Sequence, residues 1–470
     1  MQQLTGLDAS FVYFETPNAP MHVASLSIYD PSTAPGGAVT FKGILDNIDG
    51  RLHLSRVFRQ KLVQVPMGFD HPYWVEDSNF DLEFHVRHIA LPKPGDWRQL
   101  CIQVARLHSR GLDLSRPLWE VYVIEGLDNV ENVPPGSYAL LQKTHHAAVD
   151  GVSGMEIMSA LNDPTAEAEP AQDVGDWRPE SDPDPWSLLA RAGVNNALRP
   201  MHFARVLGRT LPVLGQMQAR LRRNELTPPP TGVPRTRFNG NVSAHRVVDT
   251  CVFPLAEMRA VKAAVPGATI NDAVLATVGG ALRRYLEAKG ELPDAPMVAM
   301  APISVRSEDQ LRAAGNQVSG MLVLLGTHIA DPAERLAAVQ KSTHEQKQFS
   351  SALGAHTLTD YSQFLPGGLA ALASRTAARF EMANRRDPTV NTTVTNVPGP
   401  QAPLYSSGAR LVRLLGLGPV GDGMGLIHPI VSYCGQIEIS FTACREMLPD
   451  PAFYADCIRQ SFDELALATR

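Results

Sequence analysis

Two adjacent histidines, His145 and His146, precede Asp150 and Gly151 in the stretch QKTHHAAVDG. Imidazole suits the removal of a proton from a hydroxyl or an amine because its unperturbed pKa, about 6.5, lies near neutral pH. Since neighbouring residues on a strand point to opposite faces, we expect one histidine to be chemical and the other structural. Asp150 would brace the loop, and Gly151 would permit a tight turn that a side chain blocks. The alternative is a pair of polar residues that close a strand.

Motifs for other kinds of catalysis are weak or missing from the sequence. The stretch GLGPVG at 416–421 matches the dinucleotide-binding pattern GxGxxG, but Pro419 and the following GDGMG leave no helix to receive a pyrophosphate. The sequence has no GxSxG elbow, no HExxH pair and no P-loop, which disfavours a serine hydrolase, a zinc protease and a nucleotide-driven enzyme. Direct transfer is therefore favoured: a base activates an acceptor, which attacks an activated donor.

Composition narrows the function further. The 470-residue chain is 44% hydrophobic and 19% charged, which is typical of a globular protein with two or three domains. Its net charge of −6 gives no electrostatic case for nucleic-acid binding. The five cysteines are scattered and include no CxxC pair, so neither a metal site nor a disulfide framework is predicted.

The sequence also predicts a cellular compartment. The amino terminus has no basic segment followed by an apolar run, so no signal peptide is predicted. No stretch approaches the ~18 apolar residues that are needed to cross a bilayer. We therefore expect a cytosolic protein, with attachment to a membrane surface left open.

The histidines belong to a first α/β region. SYALLQKTHH is typical of a strand that ends at the two histidines, and a helical stretch follows Gly151 and Gly154. The pair therefore lies on a strand-to-helix connection, where a rigid scaffold often holds catalytic groups.

A second α/β region begins near residue 242. It contains an amphipathic helix over 271–290, with Asn271 or Asp272 near its start. We predict two α/β layers joined by a long crossover. The predicted division of the chain is 1–161, 162–241 and 242–470.

The predicted linker contains a basic stretch over 187–223, with seven arginines and no acidic residue. Apolar residues recur in it at roughly helical spacing, which predicts an amphipathic helix that Pro200 and Pro212 would break into two or three pieces. Two interpretations stay open. The helix could rest on an anionic lipid surface, or it could be a linker packed on the domains with its arginines in solvent.

The stretch HHAAVDG resembles the HHxxxDG signature of the CoA-dependent acyltransferase superfamily. Further segments resemble one branch of it, the bacterial wax ester synthase/diacylglycerol acyltransferase family, and they run almost from end to end of the chain. They are LTGLDASFVYFETPNAPMHV (4–23), RPLWE (116–120), TINDAVLATVGGALRRYL (269–286), PISVR (302–306), GNQVSGMLVLL (315–325), NTTVTNVPGP (391–400) and YCGQIEISFTACREMLPDP (433–451).

This resemblance implies an α/β (α+β) fold of two chloramphenicol-acetyltransferase-like domains, each a mixed sheet with helices, joined by a long crossover linker. A tunnel would run between the domains, with the histidine loop at its centre. His146 would be the general base, taking the proton from a diacylglycerol or a long-chain alcohol as the oxygen attacks acyl-CoA. Acyl-CoA would be a co-substrate, and the resemblance implies no cofactor and no metal.

The resemblance also implies supporting roles. Asn271, which forms the family's Asn-Asp pair with Asp272, would stabilise the oxyanion or support the site, although an asparagine there could simply cap the helix. Asp150 would point away from the substrate and pair with an arginine, for which Arg306 is our candidate. Three residues of RPLWE would pack near the histidine strand and shape the tunnel: Pro117, Leu118 and Trp119.

The leading hypothesis is an acyl-CoA:diacylglycerol O-acyltransferase, with wax ester synthesis as a second activity. It would act in the cytoplasm, at the inner face of the cell membrane or on lipid inclusions. One alternative is a condensation-type or polyketide-modifying acyltransferase that takes its acyl group from a carrier protein. The other is a non-catalytic surface protein of lipid inclusions. The acceptor, the acyl chain length and the oligomeric state stay undetermined by the sequence.

Overall fold

The computed structural model describes residues 1–149, 160–167, 177, 179, 181–304, 318–353, 361–364 and 367–469. Asp150, Gly151 and Arg306 lie outside the described residues, so the pairing of Asp150 with Arg306 stays a prediction. Within the described residues, no helix is both long and apolar enough to cross a membrane.

Side-chain caps explain where several helices begin. Thr5, Thr40, Asp96 and Thr269 each precede a helix and accept a hydrogen bond from a backbone N–H of its first turn. The described α-helices are α1 (Gly6–Phe14), α2 (Phe41–Asp49), α3 (Leu82–His85), α4 (Trp97–His108), α5 (Pro185–Arg222), α6 (Leu255–Ala263), α7 (Ile270–Ala288), α8 (Pro332–Leu353), α9 (Gly367–Arg379) and α10 (Pro451–Ala468).

The strands are rich in valine, isoleucine, leucine and threonine, which pack well on a pleated surface. The described strands are β1 (Gln2–Gln3), β2 (His22–Asp30), β3 (Gln60–Val63), β4 (Tyr73–Glu76), β5 (Val86–Ala90), β6 (Trp119–Glu125), β7 (Tyr138–His145), β8 (Arg246–Pro254), β9 (Val298–Ser304), β10 (Val318–Leu324), β11 (Thr392–Pro398), β12 (Tyr405–Ser406), β13 (Ala409–Leu417), β14 (Leu426–Tyr433) and β15 (Gln436–Cys444).

The described strands form two six-stranded sheets, which make up most of the fold. The first has the strand order β12-β13-β2-β7-β6-β5, and the second has the order β10-β9-β11-β14-β15-β8. Both are mixed, because β5 runs parallel to β6 and β11 runs parallel to β9 and β14. A separate three-stranded sheet has the order β1-β4-β3. The predicted fold of two mixed sheets with helices is confirmed.

The first sheet also contains β12 and β13, although the sequence predicts a second domain over the whole of 242–470. β13 pairs along its length with β2, while β11 and β14, on either side of it in the chain, pair with each other in the second sheet. Leu411 and Leu414 are buried in the core of the first sheet. The pattern of residues 409–417 indicates a strand, but local sequence does not say which sheet edge a strand completes.

The helix α5 is continuous through Pro200 and Pro212, so the prediction of two or three pieces is wrong. A proline inside a helix removes one N–H and crowds the carbonyl four residues earlier. Most of α5 is exposed, so water can bind a carbonyl that has lost its partner. Leu188 and Ala192 pack against the small sheet, which agrees with the linker-helix interpretation for the first half of α5.

The helix α7 lies in the core of the second region, and its residues from Asp272 to Leu282 are all buried. Its cap is a reciprocal pair: the Asp272 N–H donates to Thr269 Oγ1 at 3.3 Å, and the Thr269 N–H donates to the Asp272 carboxylate at 2.7 Å. The suggestion that Asn271 caps this helix is therefore wrong, because the cap residue is Thr269.

Candidate active site

A cavity of about 880 Å³ lies between the two sheets. The first sheet lines it with β2, β7 and β13, and the second lines it with β9, β10, β11 and β14. Its walls are mainly apolar and include Val23, Met300, Leu415, Ile427 and Ile430. Small-molecule sites typically occupy ~300–1,000 Å³, so this cavity is large enough for a long apolar ligand.

At the end of β7, His146 lines the cavity and His145 points away from it. Gln142, Thr144 and His146 line the cavity. Lys143 and His145 alternate with them, do not line it and are fully buried. The adjacent histidines thus lie in different environments, in keeping with the alternation of side chains along a strand.

His146 has the surroundings of a neutral base. Its ring stacks on Phe11 of α1, with the ring centroids 3.9 Å apart, and its backbone N–H donates to the Met21 carbonyl at 2.8 Å. Nδ1 is buried without a hydrogen-bond partner among the described residues. Nε2 is therefore the nitrogen that a ligand can reach. Burial lowers the pKa of His146 to about 4, so the ring is neutral at pH 7 and can accept a proton.

His145 is held by two hydrogen bonds that fix its tautomer. The backbone N–H of Ala147 donates to Nδ1 at 3.1 Å, so Nδ1 carries no proton. Nε2 therefore carries the proton and donates it to the Glu15 carboxylate at 2.7 Å. With both nitrogens occupied and the ring fully buried, His145 positions the turn that begins at His146.

Glu15 is a site residue that sequence reasoning missed. Besides the bond from His145, its carboxylate accepts the backbone N–H of Met21 at 3.2 Å. Glu15 therefore ties the end of α1 to both segments that hold His146. The one available signal was its place in the amino-terminal segment LTGLDASFVYFETPNAPMHV, because no spacing rule connects it to a histidine 130 positions away.

The RPLWE segment supports the histidine strand from outside the cavity. The Leu118 carbonyl accepts the His145 N–H at 2.9 Å, and Trp119 Nε1 donates to the Phe58 carbonyl at 3.0 Å. Leu118 and Trp119 are buried, and Pro117 forms a bridge to β3. None of the three lines the cavity, so they support the site without shaping its wall.

Asn271 does not reach the cavity. The Asn396 side-chain amide lies 3.5 Å from Asn271 Oδ1. Thr395 and Val397, the neighbours of Asn396 on β11, line the cavity, so Asn396 points to the opposite face of the strand. Asn271 is therefore on the far side of β11, and this geometry does not support its predicted role as an oxyanion donor. Its contact with β11 is that of a residue behind the cavity wall.

The cavity is poor in ionisable groups. Among the described residues that line it, the titratable side chains are His146 and Asp422, and Asp422 accepts the Val242 N–H at 2.9 Å. The described residues contain no group of three or more His, Cys, Asp or Glu side chains that could hold a metal ion.

The sequence matches two family profiles. The profile of the wax ester synthase/diacylglycerol acyltransferase catalytic domain matches residues 4–274, and the profile of the family's C-terminal domain matches residues 314–466. A protein of Mycobacterium tuberculosis with the name "Probable diacyglycerol O-acyltransferase tgs2" is 34% identical over 448 residues, which cover 94% of this chain and 94% of that protein.

Solved structures share the fold. A wax ester synthase/diacylglycerol acyltransferase from Marinobacter aquaeolei superimposes with a TM-score of 0.68 and 27% identity, over 100% of both chains. A trichothecene 15-O-acetyltransferase from Fusarium sporotrichioides has a TM-score of 0.59 over 100% of this chain and 94% of its own, and at 12% identity it shows the fold alone. The family resemblance is confirmed: the chain belongs to the wax ester synthase/diacylglycerol acyltransferase family of acyltransferases.

Proposed function

We propose that the protein transfers the acyl group of acyl-CoA to the free hydroxyl of a diacylglycerol and so forms triacylglycerol. Long-chain alcohols are a second class of acceptor and give wax esters. The observation that carries this proposal is a neutral histidine, His146, on the wall of an otherwise apolar cavity of about 880 Å³. Acyl chains fit such walls because transfer of apolar surface out of water is favourable.

In the proposed reaction His146 acts first as a base and then as an acid. Nε2 takes the hydroxyl proton while the acceptor oxygen forms a bond to the thioester carbonyl carbon. The tetrahedral oxyanion collapses, the carbon–sulfur bond breaks, and the imidazolium gives its proton to the CoA thiolate. The products are the new ester and CoA thiol. The low pKa of His146 makes its imidazolium a strong acid toward that thiolate.

The surrounding residues position His146 and exclude water. Phe11 stacks on one face of the ring, and Glu15 and Leu118 hold His145 on the other side of the strand. A ring fixed in this way loses little freedom in the transition state. The apolar walls also keep water, the competing acceptor, away from the thioester.

Replacing His146 with alanine tests the proposal. Turnover of a labelled acyl-CoA with diacylglycerol should fall about 10²–10⁴-fold, the usual contribution of a general base, while a cooperative thermal unfolding transition shows that the variant is still folded. The matched control is His202→Ala, which removes an exposed histidine of α5. Normal turnover by His146→Ala would contradict the proposal.

The same assay separates the alternatives when an acceptor panel is included. An unmodified protein that uses only acyl groups bound to a carrier protein would be a condensation-type enzyme. One that turns over no donor with any acceptor but still binds lipid inclusions would be a surface protein. Label in triacylglycerol or in wax ester identifies the acceptor class.

We also propose that the enzyme works in the cytoplasm, peripherally bound to the inner face of the membrane or to lipid inclusions. Both proposed acceptors reside in lipid, and the basic helix α5 carries exposed arginines such as Arg205 and Arg209. Binding of the unmodified protein to vesicles that contain anionic lipid is required by this proposal.

A further inference from the structure

The helix α9 has the reverse of the usual pattern of a surface helix, with small side chains facing inward and large apolar side chains facing solvent. Its small residues face inward: Ala370 is buried, and Ser374 and Ala377 line the cavity. Its large apolar side chains face outward, with Leu369 67% exposed and Leu372 63% exposed. A soluble helix normally buries its large apolar residues, so this outer face has the composition of a surface that contacts something apolar.

More apolar side chains extend this face at both ends of α9. Phe380 follows the last turn and is 61% exposed. Near the first turn, a Cβ added to Gly68 would lie 3.6 Å from the Gly368 Cα, so the turn that contains Met67 borders α9. Met67 is 78% exposed, and its φ of 60° is unusual for a residue with a side chain. The backbone thus accepts a disfavoured conformation while presenting an apolar side chain to the outside.

The charge around this face is positive. Residues 367–386 contain four arginines and one glutamate. Arg375 and Arg379 are exposed on α9, and neither forms an ion pair with a described carboxylate. Apolar side chains flanked by exposed arginines are the composition that binds anionic lipid surfaces.

The outer face of α9 also borders the entrance to the cavity. Phe14 lines the cavity and is exposed, so the cavity reaches the surface beside α1. Ser374 Oγ donates to the Phe14 carbonyl at 3.4 Å, which joins α9 to that opening. A lipid held outside α9 is therefore separated from the cavity by the width of this helix, whose cavity-facing side chains are small.

We propose that Met67, Leu369, Leu372 and Phe380, with the arginines of α9, form a docking surface for an anionic phospholipid membrane. The four apolar side chains insert among the acyl chains of the membrane, and the arginines bind the lipid head groups. Docking places the opening at Phe14 against the membrane, where an apolar acceptor can enter without crossing water. Delivery of the acceptor rests on the proposed acyl transfer, whereas membrane binding through these residues does not.

Vesicle flotation tests the docking surface, with vesicles of phosphatidylcholine containing phosphatidylglycerol. The triple variant Leu369→Ser/Leu372→Ser/Phe380→Ser should lose roughly tenfold or more in affinity, because three apolar side chains no longer enter the lipid. The variant Arg375→Gln/Arg379→Gln should lose affinity for vesicles with phosphatidylglycerol but not for vesicles of phosphatidylcholine alone. The matched control is Leu467→Ser on α10, which removes a leucine that is 72% exposed.

A second measurement separates this inference from the proposed function. Initial rates are compared for diacylglycerol in vesicles and in non-ionic detergent micelles. The triple variant should lose activity on vesicles and keep it in micelles. If the unmodified protein is inactive in both vesicles and micelles, the proposed function fails. The flotation experiment still tests the docking surface in that case, because it measures binding and not activity. Unchanged flotation of the triple variant, or an equal loss with Leu467→Ser, would overturn the docking surface.

Discussion

At the scale of single residues, the site depends on a carboxylate that never touches the substrate cavity. Glu15 accepts hydrogen bonds from His145 at 2.7 Å and from Met21 at 3.2 Å. The Met21 carbonyl in turn accepts the N–H of His146. Glu15 thus fixes the base through two neighbours, and it is a positioning residue.

Substitution of Glu15 separates positioning from charge. Glu15→Ala should lower kcat by about 10- to 100-fold, because small displacements of a catalytic group are costly, and should change KM little. Glu15→Gln keeps an oxygen that can accept the His145 proton and should restore most of the rate. Steady-state kinetics of both variants give the answer, and equal losses in the two variants would argue against a positioning role.

The pKa of His146 predicts the pH dependence of the free enzyme. Burial lowers this pKa to about 4, and the reaction needs the neutral ring, so kcat/KM should stay level from neutral pH down to about pH 5 and fall only near pH 4. The pH profile of kcat/KM, measured where the protein remains folded, checks this. An acid limb near pH 6.5 would show that the ring is more exposed to water than the cavity suggests.

Residue types and spacing were enough to predict a base among the two adjacent histidines, because HHxxxDG is a local pattern, whereas the choice of His146 came from the family resemblance. They were not enough for Glu15, whose contact with His145 exists only after folding. For Asn271 the motif was misleading. It predicted a place at the reaction centre, but the contact with Asn396 puts Asn271 on the face of β11 that points away from the cavity. Periodicity could not show this, because it does not say which face of a strand meets a helix.

At the scale of elements, α1 carries both Phe11 and the connection to Glu15, so its placement determines the geometry of the site. A Cβ added to Gly6, at the start of α1, would lie 2.3 Å from the backbone of Ser362. No side chain fits there unless the backbone moves. The absence of a side chain at Gly6 therefore sets how closely α1 packs against the segment 361–364.

Gly6→Ala should lower the free energy of unfolding by about 1–3 kcal/mol, the usual cost of overpacking, and should reduce kcat as α1 shifts. Thermal unfolding and a turnover assay measure the two effects. Gly193→Ala on α5 is the control, since its Cβ would meet nothing within 4 Å and alanine is the better helix former by about 0.5–1 kcal/mol. An unfolding temperature for Gly6→Ala equal to that of the unmodified protein would show that the segment 361–364 gives way freely.

Helix and strand patterns predicted α7, β7 and the two layers, because burial imposes a period on each. They failed for α5, where the prolines indicate breaks that an exposed helix avoids. An exposed helix can leave carbonyls to water, which a buried one cannot. The consequence of a proline thus depends on burial, which is not a local property of the sequence.

At the scale of the whole molecule, the two sheets are built from interleaved parts of the chain. The sequence predicted both sheets, but it divided them at residue 242, and β13 lies on the wrong side of that division. The cavity wall depends on the return of β13 to the first sheet, because Leu415 and Leu417 of β13 line the cavity between the two sheets. The choice between sheet edges is set by packing across the whole fold.

The late position of β13 also affects how the protein is made. Until residue 409 has been synthesised, β2 is the last strand on its side of the first sheet, and its N–H and C=O groups there have no partner strand. An open strand edge pairs readily with another chain. Two unfinished chains on neighbouring ribosomes would meet at this edge, and a β13 from one could complete the sheet of the other. Strand exchange during translation is the assembly error to which this topology is exposed.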